Sequence, residues 1–407
     1  MHNIKTIQAM EILDSRSNPT IQVTVTTSHG SGISSVPSGA STGIYEAKEL
    51  RDGGKRYGGL GVSKAIKNIH QKIFPKLKGK DASNQKKIDQ IMIDLDGYKD
   101  KRKLGANAIL AVSLACAKAA ANGNNIELYQ YLNDMSGSPK MKLPTPFFNV
   151  INGGRHADNS LSIQEFMIVP QFNSFKKNLQ AGSEIYHTLK KDLHKKYGRG
   201  VTNVGDEGGF APQNFKHSTE VFSILRQAIT DAKYKGKIKV AIDAAASEFY
   251  NSGKYSIDGK KLSPSKLLEY YQELMKKYPI ISIEDPFDQH DFKNFSTLQG
   301  IQVVGDDLTV TNVDRIKKAI DAKSCNCLLL KLNQIGTLTE ALEAANLAKI
   351  AGWKVMVSHR SGETTDTFIA DLAVALGCGQ IKAGAPCRSE RTAKYNRLLE
   401  IEQLLLK

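Results

Sequence analysis

The chain has 407 residues, of which 41% are hydrophobic and 24% are charged, and its formal net charge is +15. This length is too great for one small core and predicts two domains, or one large barrel with an appendage, while the composition is ordinary for a globular protein. We expect no membrane-spanning helix, because no apolar run reaches the ~18–20 residues that one needs.

Charge and cysteine usage bear on partners and compartment. The lysines are scattered singly and in pairs without interleaved aromatic residues, so no base-stacking platform is predicted and we expect no specific nucleic-acid partner. The net charge could attract an anionic partner, but a lysine-rich solvated surface is the interpretation that we favour. The five cysteines form no CxxC pair and residues 1–7 do not resemble a secretion signal. We therefore expect a cytoplasmic protein with reduced thiols.

The first third of the chain predicts a small α+β domain. Two stretches alternate apolar and polar side chains as antiparallel strands do, and three have helical spacing, the last of them apolar nearly all round. In chain order these stretches are residues 4–13, 20–27, 61–77, 83–95 and 106–121. A polar, turn-rich linker is predicted at residues 133–139, and we divide the chain into domains at residues 1–137 and 138–407.

Beyond the linker, short apolar runs alternate with helical stretches. Ser263-Pro264 has the pattern of a helix start, and Gly352 and Gly377 follow two further predicted helices. So many alternating units predict a parallel sheet closed into a (β/α)8-type barrel, which makes the chain an α/β protein with a smaller N-terminal α+β domain. The predicted strands are residues 147–150, 166–169, 239–242, 280–283, 303–304, 327–330 and 354–357.

Charged or polar residues end nearly every apolar run of the predicted barrel. Such positions share the rim at the carboxyl ends of the strands, where barrel enzymes have their active sites. The need to end strands somewhere explains one or two polar residues, but not six in succession. These residues are Asp243, Glu284, Asp306, Lys331, His359 and Lys382.

The residue types on this rim indicate a metal-dependent elimination. Three carboxylates offer hard oxygen ligands that suit Mg²⁺ rather than zinc, although each alone is more often a cap or an ion-pair partner. Lys331 or Lys382, held among cations and partly desolvated, can lose its proton and act as a base; the alternative is that the lysine pairs with a metal-site carboxylate. A metal, a base, an acid and an anion clamp are the parts of a β-elimination next to a carboxylate.

Three loops add candidate groups to this site. The acidic pair Asp206-Glu207 lies between glycines, which let a backbone approach a ligand closely, although an ordinary exposed turn has the same composition. Arg360 follows an apolar strand and precedes a helix, and its guanidinium would suit a phosphate. Residues 38–43 are either a plain turn or a closing lid.

The segments that carry these residues resemble the enolase family in content, order and spacing over nearly the whole chain. Enolase-superfamily enzymes use a lysine or histidine base with Mg²⁺. The resemblance implies the glycolytic reaction, reversible dehydration of 2-phospho-D-glycerate to phosphoenolpyruvate with two Mg²⁺ per active site. The matching segments are SGASTG at Ser38, NGGxHA at Asn152, IQEFM at Ile163, GDEGG at Gly205, SIEDP at Ser282, GDD at Gly305, LLLKLNQIGTL at Leu328, SHRSGET at Ser358 and GAPCRSER at Gly384.

The resemblance also implies the catalytic residues. Lys331 matches the base at C2, and Glu207 matches the acid that assists loss of the C3 hydroxyl. Glu165 matches a residue that supports this acid, and His156 is the fourth residue that we assign to the catalytic group.

The remaining matches concern the metal ions and the substrate. Ser38 matches the lid residue that contacts the second Mg²⁺. The ligands of the first Mg²⁺ are matched by Asp243, Glu284 and Asp306, and the substrate-binding positions by Gln164, His359, Arg360, Ser361 and Lys382.

Three positions depart from the family pattern. Ser17 stands where enolases have glycine, so a positive backbone φ at this position would be unfavourable. Gly54 replaces an aspartate. Arg155 replaces a small residue beside His156, and we expect it to affect loop closure.

Two ion pairs that join the subunits of many enolase dimers are also altered. In one pair Met10 faces Glu390, and in the other Gln22 faces Glu400, so neither can form. Exposed ion pairs contribute only ~0–1 kcal/mol. We therefore expect a homodimer that is weaker than usual, packed differently or part of a higher-order assembly.

Two other functions are alternatives. One is a superfamily lyase acting on another carboxylate, which the phosphate-binding set around Arg360 and Ser361 argues against. The other is a moonlighting binding protein at the cell surface, with Lys407 as a terminal ligand for its partner. The intact catalytic positions make binding alone the weaker interpretation.

Overall fold

The N-terminal part of the chain consists of a three-stranded antiparallel sheet and helices. The structure is a computed structural model, and it describes residues 1–39 and 43–406. Ile21, Val23 and Val25 of the central strand are fully buried. Gly32 lies so close to the alanine-rich helix α4 that any side chain would contact the helix backbone. The elements are β1 Ile4–Leu13, β2 Pro19–Thr27, β3 Ser31–Ser35, α1 Ser63–Asn68 (continued by a π-helical turn, Ile69–Ile73), α2 Phe74–Leu77, α3 Gln85–Asp96, α4 Ala106–Gly123 and α5 Leu128–Met135.

Eight strands of the C-terminal part close into a barrel, and three short strands form a separate small sheet. The strands are β4 Thr145–Asn152, β5 Glu165–Pro170, β6 Ile238–Asp243, β7 Tyr250–Asn251, β8 Lys254–Ile257, β9 Lys260–Leu262, β10 Ile280–Glu284, β11 Gln302–Gly305, β12 Cys327–Leu330, β13 Lys354–Ser358 and β14 Gly379–Lys382. The helices are α6 Phe175–Tyr197, α7 Ser218–Asp231, α8 Pro264–Lys277, α9 Phe292–Phe295, α10 Val313–Asp321, α11 Leu332–Ile335, α12 Leu338–Ile350, α13 Phe368–Ala375 and α14 Ser389–Leu405.

The predicted fold class is confirmed, but the prediction of a wholly parallel sheet is wrong at one strand. Strand β5 runs antiparallel to both of its neighbours, β4 and β6. Residues 153–164 join β4 to β5 without a crossover helix, and a short connection of this kind produces an antiparallel pair. The amino end of β5 therefore lies at the same rim as the carboxyl ends of the other strands, and Glu165 pairs in register with Asp243.

The barrel interior is a packed core rather than a channel, as is usual for this architecture. It separates the carboxyl-end rim from the opposite end of the barrel. The buried side chains that fill it come from six of the eight strands, and they are Phe147, Met167, Val169, Ala241, Val304, Cys327, Leu329 and Met356.

Most of the remaining expectations on the fold are confirmed. Ser263 caps α8 with Pro264 at its first turn, and Gly352 and Gly377 adopt positive φ after α12 and α13. The sequence analysis missed β3, α5 and the small sheet β7–β9, and it named only the last residue, Lys382, of the strand β14. All five cysteines are free. Among the described residues, we find no helix with the length and apolar character to cross a bilayer.

Candidate active site

Side-chain alternation along the strands carries polar residues into the mouth of the barrel. On β12, Cys327 and Leu329 belong to the apolar interior, so Lys331, two residues further, points to the same side. Ala241 and Asp243 of β6 repeat this pattern. Of the predicted site residues, all except Glu284 and Ser38 line one pocket at this mouth.

Lys382 holds three carboxylates together in the floor of the pocket. Its Nζ lies 2.8 Å from Glu284 Oε1, 3.0 Å from Asp243 Oδ2 and 3.1 Å from Glu165 Oε2. Although burial opposes it, these three acids raise the pKa of Lys382 well above its usual value. Burial and the charge of Asp243 raise the pKa of Glu284. One ammonium thus faces three acids, which leaves an excess of negative charge.

Lys331 makes a direct ion pair with Asp306. The Nζ–Oδ2 distance is 2.5 Å, and the other oxygen of Asp306 accepts a hydrogen bond from Gln334 Nε2 at 2.8 Å. Burial would lower the pKa of Lys331, but Asp306 outweighs it and raises this pKa, so the amine is protonated here. For both lysines the structure shows the alternative considered from the sequence, pairing with a carboxylate of the predicted metal site.

His156, Glu165 and Glu207 form a second group at the same rim. His156 Nδ1 lies 3.6 Å from Glu165 Oε1 and 3.7 Å from Glu207 Oε1. Burial lowers the pKa of His156, so its ring is neutral. Burial and the charge of Glu207 raise the pKa of Glu165 well above its usual value. Two carboxyl groups this close together cannot both ionise readily, so the pair holds one proton.

Glu207 is the charged member of this pair. Burial would raise its pKa, but the polar rings of His359 and His156 and the positive charge of Arg391 outweigh burial and hold the pKa well below the usual range. Asn149 Nδ2 donates a hydrogen bond to Glu207 Oε2 at 2.9 Å. The order of strands around the barrel places β5, which begins at Glu165, directly opposite β12, which precedes Lys331.

His359, Arg360 and Ser361 follow β13 and line a third side of the pocket. Arg360 Nη1 lies 2.9 Å from Glu46 Oε2, and all but a few per cent of both side chains is buried. Burial lowers the pKa of His359 to about 3, so its ring stays neutral. Its Nδ1 faces Arg391 Nη1 at 2.5 Å.

Ser38 lies beside the pocket and is not brought together with the predicted metal ligands. Its backbone exchanges two hydrogen bonds with Gly362, at 2.8 and 2.9 Å, and its Oγ donates to Asp14 Oδ2 at 2.7 Å. Residues 40–42 of the predicted lid lie outside the described residues, as does Lys407.

The donor chemistry of the pocket fits a hard divalent cation. Its ionisable lining comprises three cations, Lys331, Arg360 and Lys382, two neutral histidines, and a larger number of acids. Burial and Asp306 raise the pKa of Asp307 to about 7, a sign that these charges are poorly compensated. Carboxylate oxygens in excess are the environment that Mg²⁺ prefers. The acids are Glu46, Glu165, Glu207, Asp243, Glu248, Asp285, Asp306 and Asp307.

In the part of the chain that the structure describes, two groups of three side chains could each hold a metal ion. Within each group, the ligand atoms all lie within 4.8 Å of one another. One is His156, Glu165 and Glu207, and the other combines Asp306 with Asp285 and Asp307. Asp285 has a structural task already, because its two oxygens accept hydrogen bonds from the backbone N–H groups of Asp306 and Asp307 at 3.1 and 2.6 Å. The predicted ligands Asp243 and Glu284 instead share Lys382.

Two family models match this chain. "Enolase, N-terminal domain" matches residues 4–132, and "Enolase, C-terminal TIM barrel domain" matches residues 140–407. The chain belongs to the enolase family. The small sheet domain and the closed barrel are the two parts of the enolase fold, and membership supports an enolase-type hydro-lyase that acts on a small molecule. Mg²⁺ is the metal typical of enolases, in agreement with the carboxylate-rich pocket.

Several residues of the enolase pocket escaped the sequence analysis. Asn333 Oδ1 accepts a hydrogen bond from Arg360 at 3.2 Å, and Gln334 binds Asp306. Both residues lie shortly after Lys331 in the segment LLLKLNQIGTL, which resembles the enolase family. Their place in that segment is the sequence signal that could have indicated them. Glu46 is separated from Arg360 by 314 residues, so no local pattern could join them.

The positions that depart from the enolase pattern have definite surroundings. Ser17 adopts φ 59°, the left-handed conformation that the family glycine allows. Arg155 Nε pairs with Glu248 Oε2 at 2.9 Å, at the edge of the pocket. Glu390 pairs with Arg388 and Glu400 with Arg397, so both acids have arginine partners in their own chain. Met10 is 55% exposed.

Proposed function

We propose that this enolase catalyses the reversible dehydration of 2-phospho-D-glycerate to phosphoenolpyruvate. The observation that supports it best is geometric: the amine of Lys331 and the carboxyl groups of Glu165 and Glu207 line one pocket, with the strands β12 and β5 on opposite sides of the barrel mouth. A base and an acid on two sides of a substrate are what elimination of water requires.

In this proposal Lys331 first gives up its ammonium proton to solvent, and its neutral amine then takes the proton from C2. The electron pair of that C–H bond forms the C2=C3 double bond. The proton of the Glu165–Glu207 pair passes from Glu165 to Glu207, which delivers it to the C3 hydroxyl, and the hydroxyl leaves as water. His156, Nδ1 of which lies within 3.7 Å of both carboxyl groups, orients them. Proton transfers of this kind typically contribute ~10²–10⁴-fold each.

The metal ions and the substrate anion have separate partners in this proposal. Asp243, Glu284 and Asp306 would hold one Mg²⁺, and Ser38 would contact the second. When bound, Mg²⁺ supplies positive charge that offsets the acids and the substrate carboxylate. The residues proposed to contact substrate are Gln164, His359, Arg360, Ser361 and Lys382, of which Arg360 offers the fork geometry that suits a phosphate.

A direct assay tests the proposal. The protein is mixed with 2-phospho-D-glycerate and Mg²⁺, and the ultraviolet absorbance of the enol product is followed. We expect product only when the metal is present, and the reverse reaction from phosphoenolpyruvate. Absence of product at saturating metal, with a folded protein, would reject this substrate.

We also propose a division of the chain at residues 1–137 and 138–407, a cytoplasmic location and a homodimer of reduced affinity. The charge partners of Glu390 and Glu400 within one chain support the weakened dimer. Light scattering over a dilution series should show dissociation to monomers, whereas a dimer that persists throughout would contradict the weakening.

A further inference from the structure

Positive charge is concentrated on the end of the barrel opposite the active site. The amino ends of seven strands and the carboxyl end of β5 meet there. Twelve exposed lysines occupy the turns, helix ends and strand ends of this surface, and none of them forms an ion pair with a described residue. This basic face consists of Lys140, Lys142, Lys176, Lys177, Lys233, Lys235, Lys237, Lys239, Lys276, Lys277, Lys323 and Lys354.

Backbone contacts join the segments that carry these lysines. Gln171, which precedes α6, donates from its N–H to Lys237 O at 2.9 Å, and Lys354 N–H donates to Asn326 O at 2.9 Å. The acids on the same turns and helix ends include Asp231, Asp321 and Glu402, and Glu184 of α6 accepts a hydrogen bond at 2.6 Å from Tyr234 Oη in the turn after α7. The lysines are dispersed in the sequence, so only the fold shows that they share one surface.

Apolar side chains project from the same face. Ile350, at the end of α12, is 77% exposed, and Leu405, at the end of α14, is 39% exposed. Glu402 places this end of α14 beside the start of α6, because its Oε2 accepts a hydrogen bond from Lys176 N–H at 2.9 Å. Trp353, partly exposed, lies between Ile350 and Lys354.

We infer that the basic face docks on a bilayer surface rich in anionic phospholipid. Lysines act as point charges in the diffuse negative potential of such a surface, and exposed apolar side chains add affinity by entering the headgroup region. Nucleic acid fits less well, because the residues named on this face include no arginine for bidentate phosphate contacts and no row of exposed aromatic rings for base stacking, Trp353 being only partly exposed. The catalytic pocket opens at the other end and stays accessible.

Vesicle binding tests this inference. Sedimentation with vesicles of phosphatidylcholine alone should leave the protein in solution, and vesicles with an equal part of phosphatidylglycerol should bind it in a salt-sensitive manner. The chain has one tryptophan, so a blue shift of Trp353 emission on binding would locate the contact. Reversing charge at Lys233→Glu, Lys235→Glu and Lys237→Glu together should weaken binding roughly tenfold or more.

A matched variant separates the basic face from net charge. Lys67→Glu, Lys72→Glu and Lys76→Glu change three exposed lysines of the N-terminal helices, and this variant should bind vesicles as the unchanged protein does. Equal loss of binding in both triple variants would overturn the assignment of the face. Both variants should keep the wild-type turnover, which shows that they are folded.

Two further measurements decide the chemistry of the partner. Ile350→Ser should bind anionic vesicles at low salt but lose the binding that remains at high salt. Duplex and single-stranded oligonucleotides of equal charge should bind more weakly than the vesicles. Tighter binding of an oligonucleotide, or no effect of Ile350→Ser, would overturn the bilayer as the partner.

Discussion

The two ends of the barrel use charge in opposite ways. At the carboxyl-end rim the charged side chains are buried and bind one another, as Lys382 binds Glu165, Asp243 and Glu284. At the basic face the lysines are exposed and lack ion-pair partners among the described residues. A buried charge depends on its neighbours, because removal of one partner leaves the others without compensation, whereas an exposed charge interacts weakly through water. Single substitutions should therefore have large effects at the rim and small ones at the face.

The largest effect is expected on turnover. Lys331→Ala removes the proposed base, so kcat should fall by roughly 10²–10⁴-fold. Mg²⁺ affinity by calorimetry should change little, since Lys331 is not a ligand. Lys235→Ala, at the opposite end, serves as the control and should keep normal kcat. Substantial activity in Lys331→Ala would mean that another group is the base.

The next largest effect is expected on the free energy of unfolding when Lys382 is removed. Lys382→Ala leaves three buried acids without their cation, so the free energy of unfolding of the metal-free protein at neutral pH should fall by ~3–5 kcal/mol. Lys239→Ala, an exposed lysine at the start of β6, should change it by less than ~0.5 kcal/mol. Urea denaturation measures both, and equal effects would contradict the contrast between the two ends.

Acid pH should lower the free energy of unfolding through His359, which is buried at the rim. His359 has a folded-state pKa of about 3 against its usual 6.5, so below pH ~6.5 the unfolded chain binds a proton that the folded chain does not. Stability from this group is fully present above that pH and is lost as the pH falls towards the folded value. His359→Asn should reduce the slope of unfolding free energy against pH by up to ~1.4 kcal/mol per pH unit. An unchanged slope would show that His359 is protonated in the folded protein.

The smallest effect concerns backbone strain away from the pocket. Ser17→Gly relieves a side chain held at φ 59° and should raise the melting temperature slightly, by the equivalent of ~0.5–1 kcal/mol. Ser31→Gly, at an exposed position of β3, should lower it, because glycine in a strand loses more conformational entropy on folding and no strain is relieved there. A loss of stability in Ser17→Gly would show that the serine side chain makes a compensating contact.

Much of this arrangement could be predicted because strands end where polar residues begin. Asp243, Glu284 and Lys382 are the last residues of their strands, and the alternation of inward positions on β12 brings Lys331 to the mouth. Periodicity cannot show the direction of a strand, so the antiparallel course of β5 was missed.

Long-range contacts were beyond prediction for a different reason. The pairing of Glu46 with Arg360 joins distant segments through tertiary packing alone. The ion pairs of Lys331 and Lys382 were foreseen only as an alternative, because residue types do not show which carboxylates each lysine contacts. The basic face is likewise assembled from lysines that no local segment unites.

The central claim is that Asp243, Glu284 and Asp306 share one cation within reach of Lys331. A crystal grown with Mn²⁺ in place of Mg²⁺ tests it most directly, because the anomalous signal of the metal locates the ion. We predict a peak bonded to one oxygen each of Asp243, Glu284 and Asp306, with Lys382 no longer bridging Asp243 and Glu284. A peak held by Asp285, Asp306 and Asp307 instead would contradict the account.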